Sequence, residues 1–325
     1  MPPDLCLGYL AFEVRRPARW VAFCEQILGL REPLRNEDGS LGWQVDDASQ
    51  RLMVREGPAD DLCAIGLQCV SEAVLQSLVQ RLQAAGVAVV VADEALRQSR
   101  RVGRLHHCND PAGNRVELFT ALEAATQDFS SDHFPAGFHT GAQGLGHAVL
   151  VAHNLLAMEA FYTGLLGFGV TERLETRVGP IHFRGVFLHC NQRHHTIALF
   201  DLPLNRRLHH FMLQANQLSD VGRAFERVRR HKVPLSLGLG QHPGPDGTFS
   251  FYGATPSGFD FEIGAGTQNI EPSGWQVQVT DVTSTWGHRP KLRLQAQMAA
   301  GLIARKFRWR KQVVPPTGIE PVSGA

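Results

Sequence analysis

Two imidazoles and one carboxylate, His147, His210 and Glu262, form a donor set present in only one of two copies of a repeated pattern. Residues 145–168 read LGHAVLVAHNLLAMEAFYTGLLGF and residues 7–30 read LGYLAFEVRRPARWVAFCEQILGL, so His147 stands where the first copy has Tyr9. HHFMLQ at 209–214 answers CAIGLQ at 63–68, which sets His210 opposite Ala64. TPSGFDFEIG at 255–264 answers DPAGNRVELF at 110–119, and here both copies keep a carboxylate, Glu262 and Glu117. A lone histidine on an apolar strand is usually a core residue, and a lone glutamate in a strand usually faces water. Three such donors on the first, middle and last strands of one repeat, with both histidines missing from the other, make the composition of a 2-His-1-carboxylate metal site. The set suits Fe(II), Mn(II) or Zn(II). A facial arrangement leaves three positions for a substrate and a small molecule, unlike the closed shell of structural zinc.

The elements that must carry these donors recur in each half. A short apolar strand leads into a helix with apolar residues at helical spacing, Trp20, Phe23, Ile27 and Leu28 in one copy and Met158, Phe161, Leu165 and Leu166 in the other. Gly29 and Gly167 suit the left-handed position after those helices. Alternating strands follow, then a second helix at 70–86 or 217–231, then a closing strand pair. Strand alternation puts His147, Val149 and Val151 on one face and sends His209 and His210 to opposite faces. Helices on one face of a curved sheet give an α+β fold.

With 325 residues, 43% apolar and 19% charged, the chain has the size and composition of two soluble globular domains. A net charge of +1 gives no pull toward nucleic acid or membrane. No apolar run approaches the ~18 residues of a membrane span, and MPPDLCLGYL lacks a secretory pattern. Six scattered cysteines without C-x-x-C spacing read as small buried hydrophobes in a reducing cytoplasm. The expected organisation is a domain without a metal site at 1–122, a Gly/Ser/Thr-rich linker at 123–144, a metal-bearing domain at 145–288 and a basic, largely disordered tail at 289–325. The run 289–311 holds eight Lys or Arg and no acid, and reads as a solvated terminal helix rather than a site for an anionic partner.

On HTGAQGLGH (139–147), FLHCNQRHHT (187–196), RLHHFMLQ (207–214), SDVGRAFERV (219–228) and FYGATPSGFDFE (251–262), the chain resembles the type I extradiol ring-cleavage dioxygenases of the vicinal oxygen chelate superfamily. The resemblance spans about residues 5–288. It implies two tandem domains of paired βαβββ modules, with Fe(II) (or Mn(II)) on His147, His210 and Glu262 in the second. It implies cleavage of an aryl catechol such as 2,3-dihydroxybiphenyl by O2 to a ring-opened keto-acid. His195 falls on the family's acid–base histidine and Tyr252 on a tyrosine that hydrogen-bonds a substrate oxygen. His242 falls on a supporting histidine, Asp246 on a supporting acid and Phe187 on a pocket wall. It also implies a homo-oligomer. One departure lies in PGPDGTFS after His242, about one residue longer than the family's pattern, with Pro243, Gly244 and Pro245 in place of polar residues.

An imidazole titrates near neutral pH and suits the proton transfers of such a reaction. By strand position Phe187, Ile197 and Met212 are expected to line the pocket, and His194 to point away from His195. His106, His107 and His153 read as surface or loop residues. The competing readings are a metal-dependent isomerase or lyase of the glyoxalase kind, whose site often draws on both halves, and a non-catalytic protein that binds an aromatic or a metal. Tyr9 and Ala64 argue against a two-halved site.

Overall fold

The computed structural model describes residues 4–178 and 181–313. Strands dominate, in two sheets. The first, of eight strands, runs in the order Leu34–Arg35, Leu41–Trp43, Leu52–Glu56, Leu5–Val14, Asp61–Cys69, Arg115–Phe119, Leu105–Asn109 and Val90–Val91. The second, of ten strands, runs Gln278–Thr280, Gly169–Val178, Ile181–His189, Ile197–Phe200, His147–Val151, Leu208–Gln214, Asp260–Ala265, Phe249–Ala254, Leu235–Gln241 and Trp286–Gly287. The centres agree: Leu5–Val14 and His147–Val151 each pair antiparallel on one side and parallel on the other.

The helices form where the apolar spacing predicts. Pro17–Gln26 starts with proline in its first turn, and Gly29 turns the chain at φ 64°. Leu155–Ala160 continues as a π-helical turn, Phe161–Leu165, and Gly167 turns the chain at φ 79°. Glu72–Ala84 and Leu218–Arg230 are the second helices of the two halves. Glu94–Arg100, capped by the Asp93 carboxylate, is a helix that the apolar spacing does not announce.

Alternation divides each central strand between two faces. Ala148 and Leu150, Phe211 and Leu213, and Phe261 and Ile263 belong to one buried core, while His147, His210 and Glu262 project from the other side. That core runs through both halves of the chain. Phe12 packs 5.6 Å from Phe211 and 5.1 Å from Phe259, and Phe23 packs 5.1 Å from Phe261. Trp20 donates to Ser257 Oγ, and the Arg227 guanidinium donates to the Ile27 carbonyl. The segment 123–144 is not slack. Phe134 and Phe138 are buried, and backbone bonds tie residue 123 to Ser49 and His139 to Gln214.

The outermost strands of the ten-stranded sheet, Gln278–Thr280 and Trp286–Gly287, are separated by only residues 281–285. That link reaches about 20 Å, whereas ten strands laid flat would span about 43 Å. The sheet must therefore curl until its two edges nearly meet, with the face carrying His147 on the inside.

Two expectations need correction. The run expected as a solvated terminal helix within a largely disordered tail is a helix, Leu292–Val313, but its first turns are docked on the sheet. Arg293 ties its start to Asp260 at 2.5 Å and to the Gly258 carbonyl, and Met298 packs on Val151, Leu202 and Leu204. The apolar face thus gained explains the order. Residues 314–325 lie outside the described residues. Ile197, expected at the pocket, is aligned with Ala148 and lies in the core; Ala198 takes the inner face beside Phe187 and Val149.

Because Phe12 is shared by the two halves, Phe12→Ala should cost about 3–5 kcal/mol and destabilise both together. Urea unfolding followed by tryptophan fluorescence should remain one transition at lower urea. A split into two transitions would show that the halves are not coupled through this core.

Candidate metal centre

The pairing register builds the site. His147 is aligned with Met212, Met212 with Glu262, and Glu262 with Tyr252, so four neighbouring strands present one row of side chains to the inside of the curl. His210 lies one row away, aligned with Val149. His147 Nε2 is 3.1 Å from Glu262 Oε2 and 3.3 Å from His210 Nε2, and His210 Nε2 is 3.3 Å from the same carboxylate oxygen. Three donors each about 2.1 Å from one ion sit about this far apart. All three residues are buried, Glu262 completely.

The charges argue the same way. Burial alone would raise the Glu262 pKa, but the imidazoles of His147, His210 and His242 hold it well below the usual carboxylate range. Burial lowers His147, which is therefore neutral. A buried anion among imidazole lone pairs calls for a cation. The other ring nitrogen of His210 is also provided for. A bulge between Leu208 and His210 breaks the alternation expected for His209, bringing its Nδ1 to 2.6 Å from His210 Nδ1. Burial holds His209 down at about 3, so it is neutral, and a His210 that ligates through Nε2 needs the hydrogen shared by the two Nδ1 atoms to sit on its own Nδ1.

Around the triad stand the other residues singled out from sequence. The His195 ring lies 4.0 Å from that of His147 and 4.9 Å from Phe187. Burial and the neighbouring histidines His147 and His194 push its pKa well down, so it rests neutral. His242 Nε2 is 2.8 Å from the Tyr252 hydroxyl and 3.5 Å from Glu262 Oε1, and its Nδ1–H donates to the Thr283 carbonyl at 2.7 Å. Burial opposes charge on His242, but Glu262, Asp246 and the Thr283 carbonyl outweigh it and lift the pKa to about 9. Burial and Glu262 keep the Tyr252 phenol protonated. Asp246 is buried and accepts from Thr248 Oγ1 at 2.5 Å; the longer PGPDGTFS segment is taken up in a turn closed by His242 N–H to the Thr248 carbonyl. Met212 is on the inner face, as expected.

His194 is not turned away from His195. RHHT lies in a loop between strands ending at His189 and starting at Ile197, where alternation does not apply, and the two Nδ1 atoms are 3.1 Å apart. His288 escapes the sequence reading altogether. It is buried 4.6 Å from the His242 ring and hydrogen-bonded to Ser250 and Ser284, in a segment with no counterpart in the first repeat.

Residues 144–263 match the Glyoxalase/Bleomycin resistance protein/Dioxygenase superfamily, and residues 7–57 match Dihydroxybiphenyl dioxygenase BphC D1. The chain is 41% identical to 3-methylcatechol 2,3-dioxygenase of Pseudomonas putida, over 87% of its own length and 97% of the relative's. It is 38% identical to biphenyl-2,3-diol 1,2-dioxygenase of Paraburkholderia xenovorans, over 87% and 94%. The chain belongs to the extradiol catechol dioxygenases. The crystal structure of a halotolerant catechol dioxygenase superposes on this extradiol dioxygenase with a TM-score of 0.82 at 33% identity, over 89% of this chain and 95% of that one. These relatives are dioxygenases, not isomerases or lyases of the glyoxalase kind.

The first half of this dioxygenase repeats the row with different chemistry. Tyr9, Gly66, Glu117 and His107 are aligned as His147, Met212, Glu262 and Tyr252 are. Glu117 is fully buried, but Arg100 Nε and Arg115 Nε approach its oxygens at 2.8 and 2.9 Å, and the Tyr9 hydroxyl donates at 2.5 Å. Arg100 comes from the unannounced helix Glu94–Arg100. Tyr9, Ala11, Met53, Ala64, Leu105 and Phe119 fill the remaining space. His107, expected at the surface or in a loop, is a half-buried strand residue.

Two measurements follow from this contrast. Arg100→Met should destabilise the fold by about 3 kcal/mol or more and leave the metal content unchanged; loss of metal would couple the two rows in a way the geometry does not. In the second half, an ion at the triad competes with the proton on His242, because both answer Glu262. Divalent-ion affinity should therefore rise with pH toward about 9 and release a proton in calorimetry across buffers of different ionisation enthalpy. His242→Gln should flatten that dependence; an unchanged slope would remove His242 from the linkage.

Proposed function

We propose that this dioxygenase uses Fe(II) on His147, His210 and Glu262 to open the ring of a 3-substituted catechol with O2, giving a ring-opened keto-acid. 2,3-Dihydroxybiphenyl is the reference substrate. The observation that carries this reading is a triad of donors 3.1–3.3 Å apart beside an apolar wall, with His195 and Tyr252 at its flanks. Two imidazoles and one carboxylate favour Fe(II) in oxygen chemistry. Bound there, the ion would grip two adjacent catechol oxygens, lower their pKa and bring O2 beside the ring.

The protein's own groups do the rest. Phe187 and Phe200 pack at 5.4 Å, and Phe200 adjoins Val151, Leu202, Leu204 and Met298, an apolar surface suited to an aryl substituent. His195, neutral at rest, takes the proton of a catechol hydroxyl and returns it later. Tyr252, kept protonated, donates to a substrate oxygen as charge builds there. His242 holds Tyr252 through the bond between Nε2 and the phenol, and Asp246 adds negative charge behind His242.

On this reading residues 1–122 are a scaffold domain without metal and 145–288 the catalytic domain, with 123–144 joining them. Six free cysteines suit a reducing cytoplasm. Among the described residues no helix is long and apolar enough to cross a membrane. Exposed Val90 and Val91 on a sheet-edge strand suit burial against a second copy in a homo-oligomer.

Protein reconstituted anaerobically with Fe(II) should take up O2 on adding 2,3-dihydroxybiphenyl and form a yellow product, with kcat/KM higher than for catechol. His210→Ala should lose iron in metal analysis. His195→Gln should keep iron and lose roughly 100-fold or more in kcat. Oxygen uptake absent with every catechol tried would overturn the reading, and an unchanged rate in His195→Gln would remove its role.

A further inference from the structure

The helix Leu292–Val313 lies beyond the span of the family resemblance, yet it crosses one end of the curled sheet. Its start is tied to one side. Lys291 N–H donates to the Ser236 carbonyl, and Arg293 reaches Ser236 Oγ, the Asp260 carboxylate and the Gly258 carbonyl. Further along, Met298 packs with Val151, Leu202 and Leu204, and a side chain on Gly301 would run into the Pro203 carbonyl. Four strands of the sheet separate Leu235–Gln241, where the helix starts, from Ile197–Phe200, which it reaches. The contacts all fall at one end of the strands. Val151 and Phe200 end theirs, Asp260 and Leu235 begin theirs, and the pairing directions bring these ends together. The shielded positions Arg293, Leu294, Gln297, Met298, Gly301 and Leu302 recur at helical spacing, so one face of the helix is turned to the sheet along this length.

Between the triad and the helix the inner face is small and apolar. Val149 and Val151 follow His147 along its strand, and Val151 stands about 13 Å beyond it. Ala198 is aligned with Val149, and Gly185 with Phe200. A Cβ at Gly185 would sit 2.7 Å from the Phe200 ring, which therefore lies over that glycine, edge to face with Phe187. Phe187 in turn adjoins His195. The apolar side chains thus continue from the triad through Phe187 and Phe200 to the cluster of Val151, Leu202 and Leu204, and the helix closes that cluster with Met298. Arg293 and the close approach at Gly301 hold the helix on either side of Met298, whose unbranched thioether adapts to what lies against it.

We propose that Met298 is the far wall of the aryl pocket and a specificity-determining residue, setting how long a substituent at carbon 3 of the catechol is accepted. The inference rests on the reading that a 3-substituted catechol is held at the triad, and its test separates the two. The substituent limit of this enzyme is then a property of its own C-terminal helix, not of the strands shared with the family.

Two variants of the full-length Fe(II) enzyme bracket the wall. Met298→Trp shortens the pocket and should lower kcat/KM for 2,3-dihydroxybiphenyl roughly 10-fold or more, with 3-methylcatechol moved less than about twofold. Met298→Ala lengthens it. That change should raise kcat/KM for a 2,3-dihydroxybiphenyl carrying a propyl group at the far end of its second ring, relative to 2,3-dihydroxybiphenyl itself, by roughly 10-fold. A residue that only holds the helix in place would move all three substrates together. The same diols titrated anaerobically into Zn(II)-loaded protein give dissociation constants that should shift in the same order without turnover. Substrate ratios unchanged in both variants, in rate and in affinity, overturn the proposal; should Met298→Trp not fold, Met298→Ala alone decides it. If the affinities shift as stated but no O2 is consumed, the Fe(II) ring-cleavage reading fails and the wall stands; a protein that binds none of the diols removes both.

Discussion

A carboxylate buried on the inner face of a sheet must find positive charge, and both halves of this dioxygenase are built around that need. Glu117 and Glu262 occupy the same register in their sheets, each fully buried. An unpaired carboxylate there would lose hydration worth several kcal/mol. The first half supplies two guanidinium groups from within the chain. The second surrounds its carboxylate with imidazoles, His147 neutral among them, and so leaves the charge to be met by an ion and, without one, by the proton on His242. Two guanidinium groups in one half and a donor set suited to an ion in the other are two answers to one electrostatic problem.

The differences between the rows are coupled, which explains why the first half is not simply a site lacking two ligands. The Tyr9 ring lies where a side chain on residue 66 would be: a Cβ at Gly66 would sit 2.3 Å from it. The second half has Met212 at that position, and His147, shorter than tyrosine, leaves room for it. Tyr9 also stacks on Phe119 at 4.9 Å and reaches Glu117, while Arg100 comes from the helix Glu94–Arg100. Restoring a histidine at residue 9 would leave Arg100 and Arg115 on the carboxylate. The apolar fill of Tyr9, Ala11, Met53, Ala64, Leu105 and Phe119 would also lack the tyrosine that seals it.

What could be read from the sequence was whatever repeats or alternates. The duplication, the helices ended by Gly29 and Gly167 and the two-faced strands follow from local spacing, and they are enough to put His147, Met212 and Glu262 on one face. What alternation could not supply lies where strands are irregular. The bulge before His210 turns His209 toward its neighbour. The loop at 190–196 brings His194 and His195 together. Ile197, one residue past that loop, is in the core because its phase is set by pairing with Ala148, not by counting from His195. Arg100 cannot be found by comparing the repeats, since its short helix, Glu94–Arg100, has no apolar stripe and no counterpart in the second copy.

The same limit applies to the end of the chain, where the largest departure from a simple duplication lies. The repeat closes near Ala265, and everything beyond it looks accessory by composition. Yet Gln278–Thr280 and Trp286–Gly287 pair with opposite edges of the ten-stranded sheet, and the five residues between them hold its curl to about 20 Å. Thr283, within that link, takes the Nδ1 proton of His242 and so directs Nε2 at Tyr252 and Glu262. His288, just past the second edge strand, packs against both the His242 and Tyr252 rings. The first half has no such pair of strands after Phe119, and the helix Glu94–Arg100 instead supplies the Arg100 that meets its carboxylate. One half therefore keeps its carboxylate by plugging the sheet with a cation of its own. The other curls the sheet shut from both edges and leaves the centre to a donor set that needs an ion, which makes residues 278–288 as much a part of the site's geometry as the strands that carry the donors.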